Sequence, residues 1–311
     1  ANFDGISYAK GASALHQLVA HVGRDNFITG LQKYFAKHAF KNTTLDDLLN
    51  ELTATSGRDL KPWVDTWLRT SGVNTLRPKL EISGDTYSAI SVIQEAPTMP
   101  VGSTELRPHR MAVGLYDLSG STLKLRKSVE LDVAGALTEV KELAGEKVAD
   151  LLLLNDRDLS YGKIRFDDRS IATLKSHLGK LDDGLARALC WSAAWDMLRD
   201  AEISATDFVE IAIAGMPGES DITIVTMLIA QLSTAVELYA SEKNRDGLRE
   251  LIAATLIGLL DAATPESDHQ LQFAKGFANT AITPAQLARI AAMLAGSITG
   301  LTIDAELRWY L

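Results

Sequence analysis

The residues with the most capacity for chemistry at the start of this sequence are Tyr8 and Lys10, in the segment Phe3–Leu18 (FDGISYAKGASALHQL). The apolar residues that follow have the spacing of one buried helix face: Ala12, Leu15, Val19 and Val22. The pattern predicts a phenol and an amine where a loop turns into an amphipathic helix. One tyrosine at a helix start carries no chemistry by itself, so spacing alone favours a half-buried packing role for Tyr8. For Lys10 two roles stay open: packing along the helix or pairing with a carboxylate.

Other titratable residues are better explained by structure than by catalysis. His16 and His21 are five residues apart, which places them on different faces of a helix, so they are poorly placed to share a metal. Cys190 lies in an apolar helical run and is predicted to be a buried, inert thiol. Helix capping accounts for three pairs of adjacent aspartates: Asp46-Asp47, Asp167-Asp168 and Asp182-Asp183. The sequence contains neither a G-x-x-x-x-G-K phosphate loop nor a G-x-S-x-G elbow.

Composition places the chain among globular proteins and excludes several kinds of partner. It has 311 residues, 46% hydrophobic and 23% charged, with a formal net charge of -9, which indicates two or three domains without extensive disorder. A nucleic-acid partner is not expected, because binding would require clustered Lys and Arg to replace counterions. The most apolar stretch, Ile222–Leu232, is predicted to be too short to cross a bilayer. We therefore expect no membrane partner and a cytoplasmic location.

The first part of the chain, to about Gly72, is predicted to form four helices. Their starts and ends are marked by a cap at Gly23, by Thr43 or Thr44 with acidic residues after it, and by Pro62 in the first turn of the fourth helix. So many large apolar side chains in about seventy residues indicate half of a domain, and we expect exposed hydrophobic surface on this segment.

After Pro78 the spacing of the apolar residues changes from a helical period to alternation. Alternating apolar residues, a Gly84-Asp85 hairpin turn and a Ser119-Gly120-Ser121 turn predict short strands in a small β-sandwich, with no ligand-binding motif in it. From Ser170 onward the helical period returns. Ser204 with Asp207, and Thr283 with Gln286, predict capping boxes in a series of helices that resembles stacked α-solenoid hairpins. The last predicted helix begins near Asp304 and runs to Leu311, which is interpreted as truncation.

Several longer runs resemble one enzyme family along the whole chain. The runs that carry the resemblance are Ile6–Leu15 (ISYAKGASAL), Gly23–Phe27 with Gly30-Leu31, Asn42–Thr44 with Asp46–Leu48, Ser56–Leu60, Trp63–Trp67 with Ser71–Val73, Asn155–Lys163 (NDRDLSYGK), and Ala188–Ser192 with Trp195–Met197. Together they resemble zinc aminopeptidases of the aminopeptidase N type, and the later runs resemble actinobacterial members. In that family the first run typically reads Y-E-K-G-A before an apolar helix, whereas Ala9 stands here in place of the acidic residue. A role for that carboxylate is therefore not carried over.

The resemblance implies a zinc-dependent parent enzyme and a role for Tyr8. Zinc peptidases of this kind bind metal through H-E-x-x-H and a further acidic ligand, but no histidine in this sequence is followed by Glu. The chain is therefore expected to be the C-terminal portion of a longer aminopeptidase, to bind no zinc itself and to be inactive alone. By resemblance, Tyr8 is the catalytic residue, donating a hydrogen bond to the oxyanion that forms on the peptide carbonyl.

The expected fold is a multidomain α+β protein. Residues 1–76 would be the helical end of a thermolysin-like catalytic domain, residues 77–168 a β-sandwich, and residues 169–311 a helical-repeat-like domain. The expected partners are a peptide substrate of the full-length parent and the N-terminal part of the same polypeptide; the preferred N-terminal residue stays open. A non-catalytic helical scaffold for protein binding is the alternative, with Tyr8 serving only in packing.

Overall fold

The structure is a computed structural model that describes residues 6–311. Residues Phe3–Gly5 of the tyrosine segment therefore lie outside the described residues. The chain divides into two compact units, one of residues up to Asp117 with Leu125–Asp167, the other of Leu118–Lys124 with Asp168–Leu311. The elements are helical, then stranded, then helical, a mixed α+β fold as expected. The expected separation of residues 1–76 from 77–168 stays a prediction.

The first unit opens with a π-helical turn at Ile6–Lys10 that runs directly into the first α-helix. Four α-helices follow: α1 (Gly11–Val22), α2 (Arg24–His38), α3 (Leu45–Ser56) and α4 (Lys61–Trp67). The predicted signals lie at their ends. Gly23 has a φ of 85° and its N–H bonds to the carbonyl of Val19, while the N–H of Thr44 donates to the Asp47 carboxylate at 2.8 Å. The helices share a buried core of aliphatic and tryptophan side chains: Leu18, Val22, Leu49, Leu52, Leu60, Trp63, Val64 and Trp67.

The face of α1 that contacts this core differs in part from the expected one. Leu15 was predicted to be buried, but it is 55% exposed, and the buried positions are Gln17, Leu18 and Val22. A stripe of apolar residues on a helix requires a partner surface, and the described residues place no such partner over Leu15. Exposed hydrophobic surface was expected here and is confirmed, since Tyr8 and Phe35 are also largely exposed.

Seven strands lie in the described part of the chain. They are β1 (Thr75–Ser83), β2 (Thr86–Glu95), β3 (His109–Ser119), β4 (Thr122–Val133), β5 (Leu137–Glu139), β6 (Leu151–Asp156) and β7 (Lys163–Ile164). One sheet has the order β5-β2-β1-β7 and the other β4-β3-β6. The predicted Gly84-Asp85 turn joins β1 to β2, which pair antiparallel, and Gly84 has the positive φ of 63° that such a turn requires.

A buried arginine ties the end of α4 to the strands. Arg107 donates to the carbonyls of Thr66 and Ser71, to the Thr70 hydroxyl, and to Asn74 Oδ1 at 2.9 Å. Three of these acceptors belong to the last turn of α4 or the residues after it, where helix carbonyls lack intrahelical donors and favour a positive charge. Burial lowers the pKa of Arg107 from its usual value. The guanidinium thus satisfies a helix terminus inside the protein.

The second unit is helical. Its helices are α5 (Asp168–His177), α6 (Gly184–Arg199), α7 (Ala205–Gly215), α8 (Ile222–Thr234), α9 (Glu242–Ala262), α10 (Asp268–Thr280), α11 (Pro284–Leu294) and α12 (Ala305–Tyr310). The predicted capping boxes begin α7 and α11. Helix α7 packs on α5 and α6, and α10 packs on α8 and α9. Cys190 is buried as expected. Stacking of these pairs into a solenoid stays a prediction.

The expectation that the most apolar segment is too short to cross a bilayer is wrong. Helix α8 extends past Leu232 to Thr234 and continues as a π-helical turn, Ala235–Tyr239. The resulting 18-residue stretch Ile222–Tyr239, with a mean hydropathy of 1.5 and 33% of it buried, is one helix among the described residues that is long and apolar enough to cross a membrane. This is weak evidence, because a core helix meets the same test.

Candidate functional site

Tyr8 lies at the edge of an open apolar groove. Its side chain is 68% exposed, so the half-buried packing role expected from spacing alone does not describe it. The groove has a volume of about 410 Å³ and is formed by the start of α1, the start of α3 and residues of α4. Three leucines of the groove are strongly exposed, at 55%, 48% and 44%: Leu15, Leu45 and Leu68. A phenol beside an open apolar surface can contact a ligand that enters the groove.

A second pocket lies on the other side of the same helix start. It has a volume of about 290 Å³ and shares Gly11, Ala14 and Leu68 with the groove. Its further lining includes Lys10, Gln17, Trp67 and Tyr161. Lys10 therefore lies within reach of open space that an aromatic ring and a phenol also line, and Tyr8 and Lys10 border two neighbouring cavities.

Behind the second pocket, a row of buried polar side chains crosses from α1 into the strands. Ser160 Oγ lies 2.6 Å from His109 Nδ1 and 3.3 Å from Gln17 Oε1. His109 Nε2 lies 3.2 Å from Gln94 Oε1, and Gln94 Nε2 donates to the carbonyl of Gly135 at 3.0 Å. All four side chains of this row, Gln17, Ser160, His109 and Gln94, are buried. We call them the buried polar row.

The environment of His109 keeps its ring neutral. Burial, and to a smaller extent the charge of Arg107, lowers the pKa of His109 to about 3. The ring packs edge-on against Trp67, with centroids 5.1 Å apart, and Trp67 Nε1 donates to the carbonyl of Pro108. A serine beside a histidine resembles a nucleophile and its base, but Ser160 is buried and its role here is structural.

A strained loop presents Ser160 to this row. Asn155, Arg157 and Asp158 all have positive φ angles, of 57°, 75° and 55°. Such angles are uncommon for residues other than glycine. Asn155 closes the loop by donating to the carbonyl of Ser160 at 2.7 Å and accepting from the Ser160 N–H at 3.0 Å. Burial raises the pKa of Asp158, and the charge of His16 acts in the opposite direction.

Sequence reasoning singled out Tyr8, whose catalytic role stays a prediction, and did not single out the buried polar row. The run Asn155–Lys163 was singled out only for its resemblance, and Gln17 and His109 were not candidates at all. His16 and His21 do not form part of a metal site: among residues 6–311 no three His, Cys, Asp or Glu side chains are grouped so that they could hold a metal ion. The described residues therefore do not fit a zinc site. Asp183 accepts from two N–H groups at the start of α6, as expected for a cap.

Comparison with known proteins identifies the family. A family model described as "ERAP1-like C-terminal domain" matches residues 151–311, and one described as "Peptidase family M1 domain" matches residues 1–67. The aminopeptidase N of Streptomyces lividans is 49% identical over 315 residues, covering 99% of this chain and 37% of that protein. This chain belongs to the aminopeptidase N family of M1 peptidases.

The resemblance expected from the sequence is thereby confirmed, including its actinobacterial character. The M1 match spans α1 to α4, and the ERAP1-like match begins at β6. The tricorn protease-interacting factor F2 of Thermoplasma acidophilum is 25% identical over 257 residues, or 82% of this chain and 29% of that protein. The chain thus spans well under half the length of these relatives.

A solved structure shows that the fold is shared. This chain matches the crystal structure of Legionella pneumophila aminopeptidase A in complex with aspartic acid. The match covers 94% of this chain and 37% of the Legionella chain, with a TM-score of 0.62 and 15% identity. At this identity the likeness concerns the fold alone.

The pH dependence of stability tests the state of His109. Unfolded, the ring takes up a proton below about pH 6.5, whereas the folded ring stays neutral to about pH 3. Protons therefore favour the unfolded chain as pH falls below 6.5, and His109 lowers the free energy of unfolding by about 2 kcal/mol at pH 5 relative to pH 7. His109→Gln should remove that part of the fall in urea unfolding. His16→Gln, at an exposed position on α1, should keep it; an unchanged fall in His109→Gln would contradict the assignment.

Dye binding tests the openness of the groove. The isolated chain should enhance the fluorescence of a hydrophobic dye, and Leu15→Ser combined with Leu45→Ser should lower the enhancement because both leucines line the groove. Leu125→Ser, an equally exposed leucine on β4, is the matched control. Equal dye binding by the Leu15→Ser/Leu45→Ser double variant and by Leu125→Ser would show that the groove is not the surface to which the dye binds.

Proposed function

We propose that this chain is part of a zinc aminopeptidase that removes N-terminal amino acids from peptides, and that Tyr8 acts in its reaction. The family membership supports the peptidase class. The observation that carries the role of Tyr8 is its position, exposed at the rim of an open groove and at the start of a helix that matches the M1 domain. Zinc would be held by residues of the parent enzyme outside the described ones, so no step is assigned to it here.

The chemistry proposed for Tyr8 is stabilisation of a developing negative charge. When a nucleophile attacks a peptide carbonyl, charge accumulates on the carbonyl oxygen, and a donor held at that point stabilises the transition state more than the ground state. A tyrosine hydroxyl carries its proton at neutral pH and can donate it in a hydrogen bond. A ligand that fills the apolar groove beside Tyr8 would displace water from that part of the site, which would strengthen such a bond.

In this proposal the chain alone hydrolyses nothing, because it supplies a donor and a wall of the site but no group that activates water. The alternative is a non-catalytic scaffold in which Tyr8 only packs. The two differ in what precedes Phe3 in the coding sequence. An upstream H-E-x-x-H with a later Glu supports the enzyme, and an unrelated domain supports the scaffold.

Kinetics of the complete enzyme test the role of Tyr8. Tyr8→Phe removes the hydroxyl and keeps the ring, so kcat should fall by about 10²- to 10³-fold while KM changes little. Tyr34→Phe is the control, since the Tyr34 hydroxyl lies against Thr43 within the helical segment and does not line the groove. Turnover by Tyr8→Phe close to that of the unmodified enzyme would remove Tyr8 from the mechanism.

A further inference from the structure

The position of Tyr8 depends on a helix with few buried residues. Tyr8 belongs to the π-helical turn that continues without a break into α1, so its backbone moves with that helix. Three of the 12 residues of α1 are buried. Gln17 and Leu18 are adjacent in sequence, and Val22 lies one turn beyond Leu18. Leu18 and Val22 enter the apolar core of the helical segment. Gln17 makes the buried polar contact of α1.

The buried polar row reaches from Gln17 into three separate parts of the stranded region. Ser160 lies after β6, His109 begins β3 and Gln94 is in β2. Gln17 and Ser160 are 143 residues apart in sequence, so this contact fixes α1 to a distant segment of the same unit. Because the contact is buried, breaking it leaves polar groups without solvent, which costs about 1–3 kcal/mol for each unsatisfied group.

One placement of the protons gives each contact in the buried polar row a donor and an acceptor. Gln94 uses its N–H₂ on Gly135, so its Oε1 faces His109 and requires the proton of the neutral ring at Nε2. Nδ1 of His109 is then an acceptor, and the Ser160 hydroxyl donates to it across 2.6 Å. Ser160 has no second proton for Gln17. The contact becomes a donor–acceptor pair when the amide of Gln17 is turned over about its last side-chain bond, which exchanges the positions of Oε1 and Nε2 and lets the N–H₂ donate to the hydroxyl.

The row is also rigid at its far end. Asn155 clamps the loop that carries Ser160 through two hydrogen bonds, and the Asn155 backbone is held at a φ of 57°. His109 is held between Gln94 and Trp67. A side chain of α1 that bonds to Ser160 is therefore attached to a fixed point, and the register of α1 along its axis is set from that point.

We propose that Gln17 is a positioning residue for catalysis, which acts through Tyr8 by fixing α1 to the Ser160–His109–Gln94 part of the buried polar row. The inference rests on the function proposed for Tyr8. Gln17 is nine residues beyond Tyr8, about 13 Å along a helix at 1.5 Å per residue, and it touches no reacting group itself. Its effect is to hold the phenol in the place where the oxyanion forms.

The test is a double-mutant cycle in the complete aminopeptidase. Gln17→Met keeps the length of the side chain and removes its hydrogen bond, so kcat should fall by about 10- to 100-fold with KM nearly unchanged, as for a small misplacement of a catalytic group. In a Tyr8→Phe background the same substitution should cost nothing further, because the donor that it misplaces is already absent. Gln32→Met, on the exposed face of α2, should leave kcat unchanged in both backgrounds.

The outcomes separate this inference from the function proposed for Tyr8. A loss from Gln17→Met that is equal in the two backgrounds, or that appears in KM alone, overturns the positioning role while the role of Tyr8 stands. Near-normal turnover by Tyr8→Phe overturns both. If Gln17→Met does not fold, as judged by circular dichroism, Gln17→Asn replaces it: the shorter amide keeps the polarity but cannot reach Ser160, and the same background dependence is expected.

Discussion

The attachment of α1 to the strands is the interaction on which the rest of the candidate site depends. The helix has two apolar anchors, Leu18 and Val22, and a buried amide, Gln17, next to the first of them. The apolar anchors define which face turns inward but tolerate sliding, since the hydrophobic effect is not directional. The contact with Ser160, at 3.3 Å, restricts distance and direction in a way that apolar contacts do not. Together they place Tyr8 at the rim of the groove.

The stranded region supplies the rigid surface for this attachment. Arg107 binds the carbonyls and hydroxyl at the end of α4 and lies 5.5 Å from the ring of Trp67, while Trp67 contacts His109. The end of α4 and the middle of α1 are therefore held by neighbouring buried polar groups. Polar groups in such a place must be fully paired, because each unpaired one is costly. The strands thus do more than separate two helical parts: they fix the helices that border the groove.

Local signals in the sequence predicted much of the fold. Gly23, Thr44, Ser204 and Thr283 mark helix ends through contacts within about four residues, so their meaning can be found without the tertiary structure. Gly84 marked a hairpin for the same reason. The burial of Leu15 was predicted wrongly because a helical stripe shows which face is apolar but not whether a partner covers it. The stretch Ile222–Leu232 alone is too short to cross a bilayer, but the helical segment that contains it continues to Tyr239, so the apolar length was underestimated.

The candidate site also has one part that the sequence could indicate and one part that it could not. Tyr8 was singled out because it lies in a run that resembles a family pattern; the two matched domains confirm the family, and the role of Tyr8 stays a proposal. The buried polar row could not be found, because its contacts join residues 15, 51 and 143 positions apart. Glutamine, serine and histidine at such separations carry no local pattern. Their role becomes visible when the fold brings them together away from solvent.

A crystal structure of the complete aminopeptidase with a phosphonate analogue of the tetrahedral intermediate would show whether Tyr8 reaches the oxyanion. We expect Tyr8 Oη to lie about 2.7–3.1 Å from the phosphonate oxygen that represents the oxyanion, with Gln17 still bonded to Ser160. A Tyr8 hydroxyl that lies beyond hydrogen-bond distance of the analogue, or that is turned into the core beside Leu18 and Trp63, would contradict it.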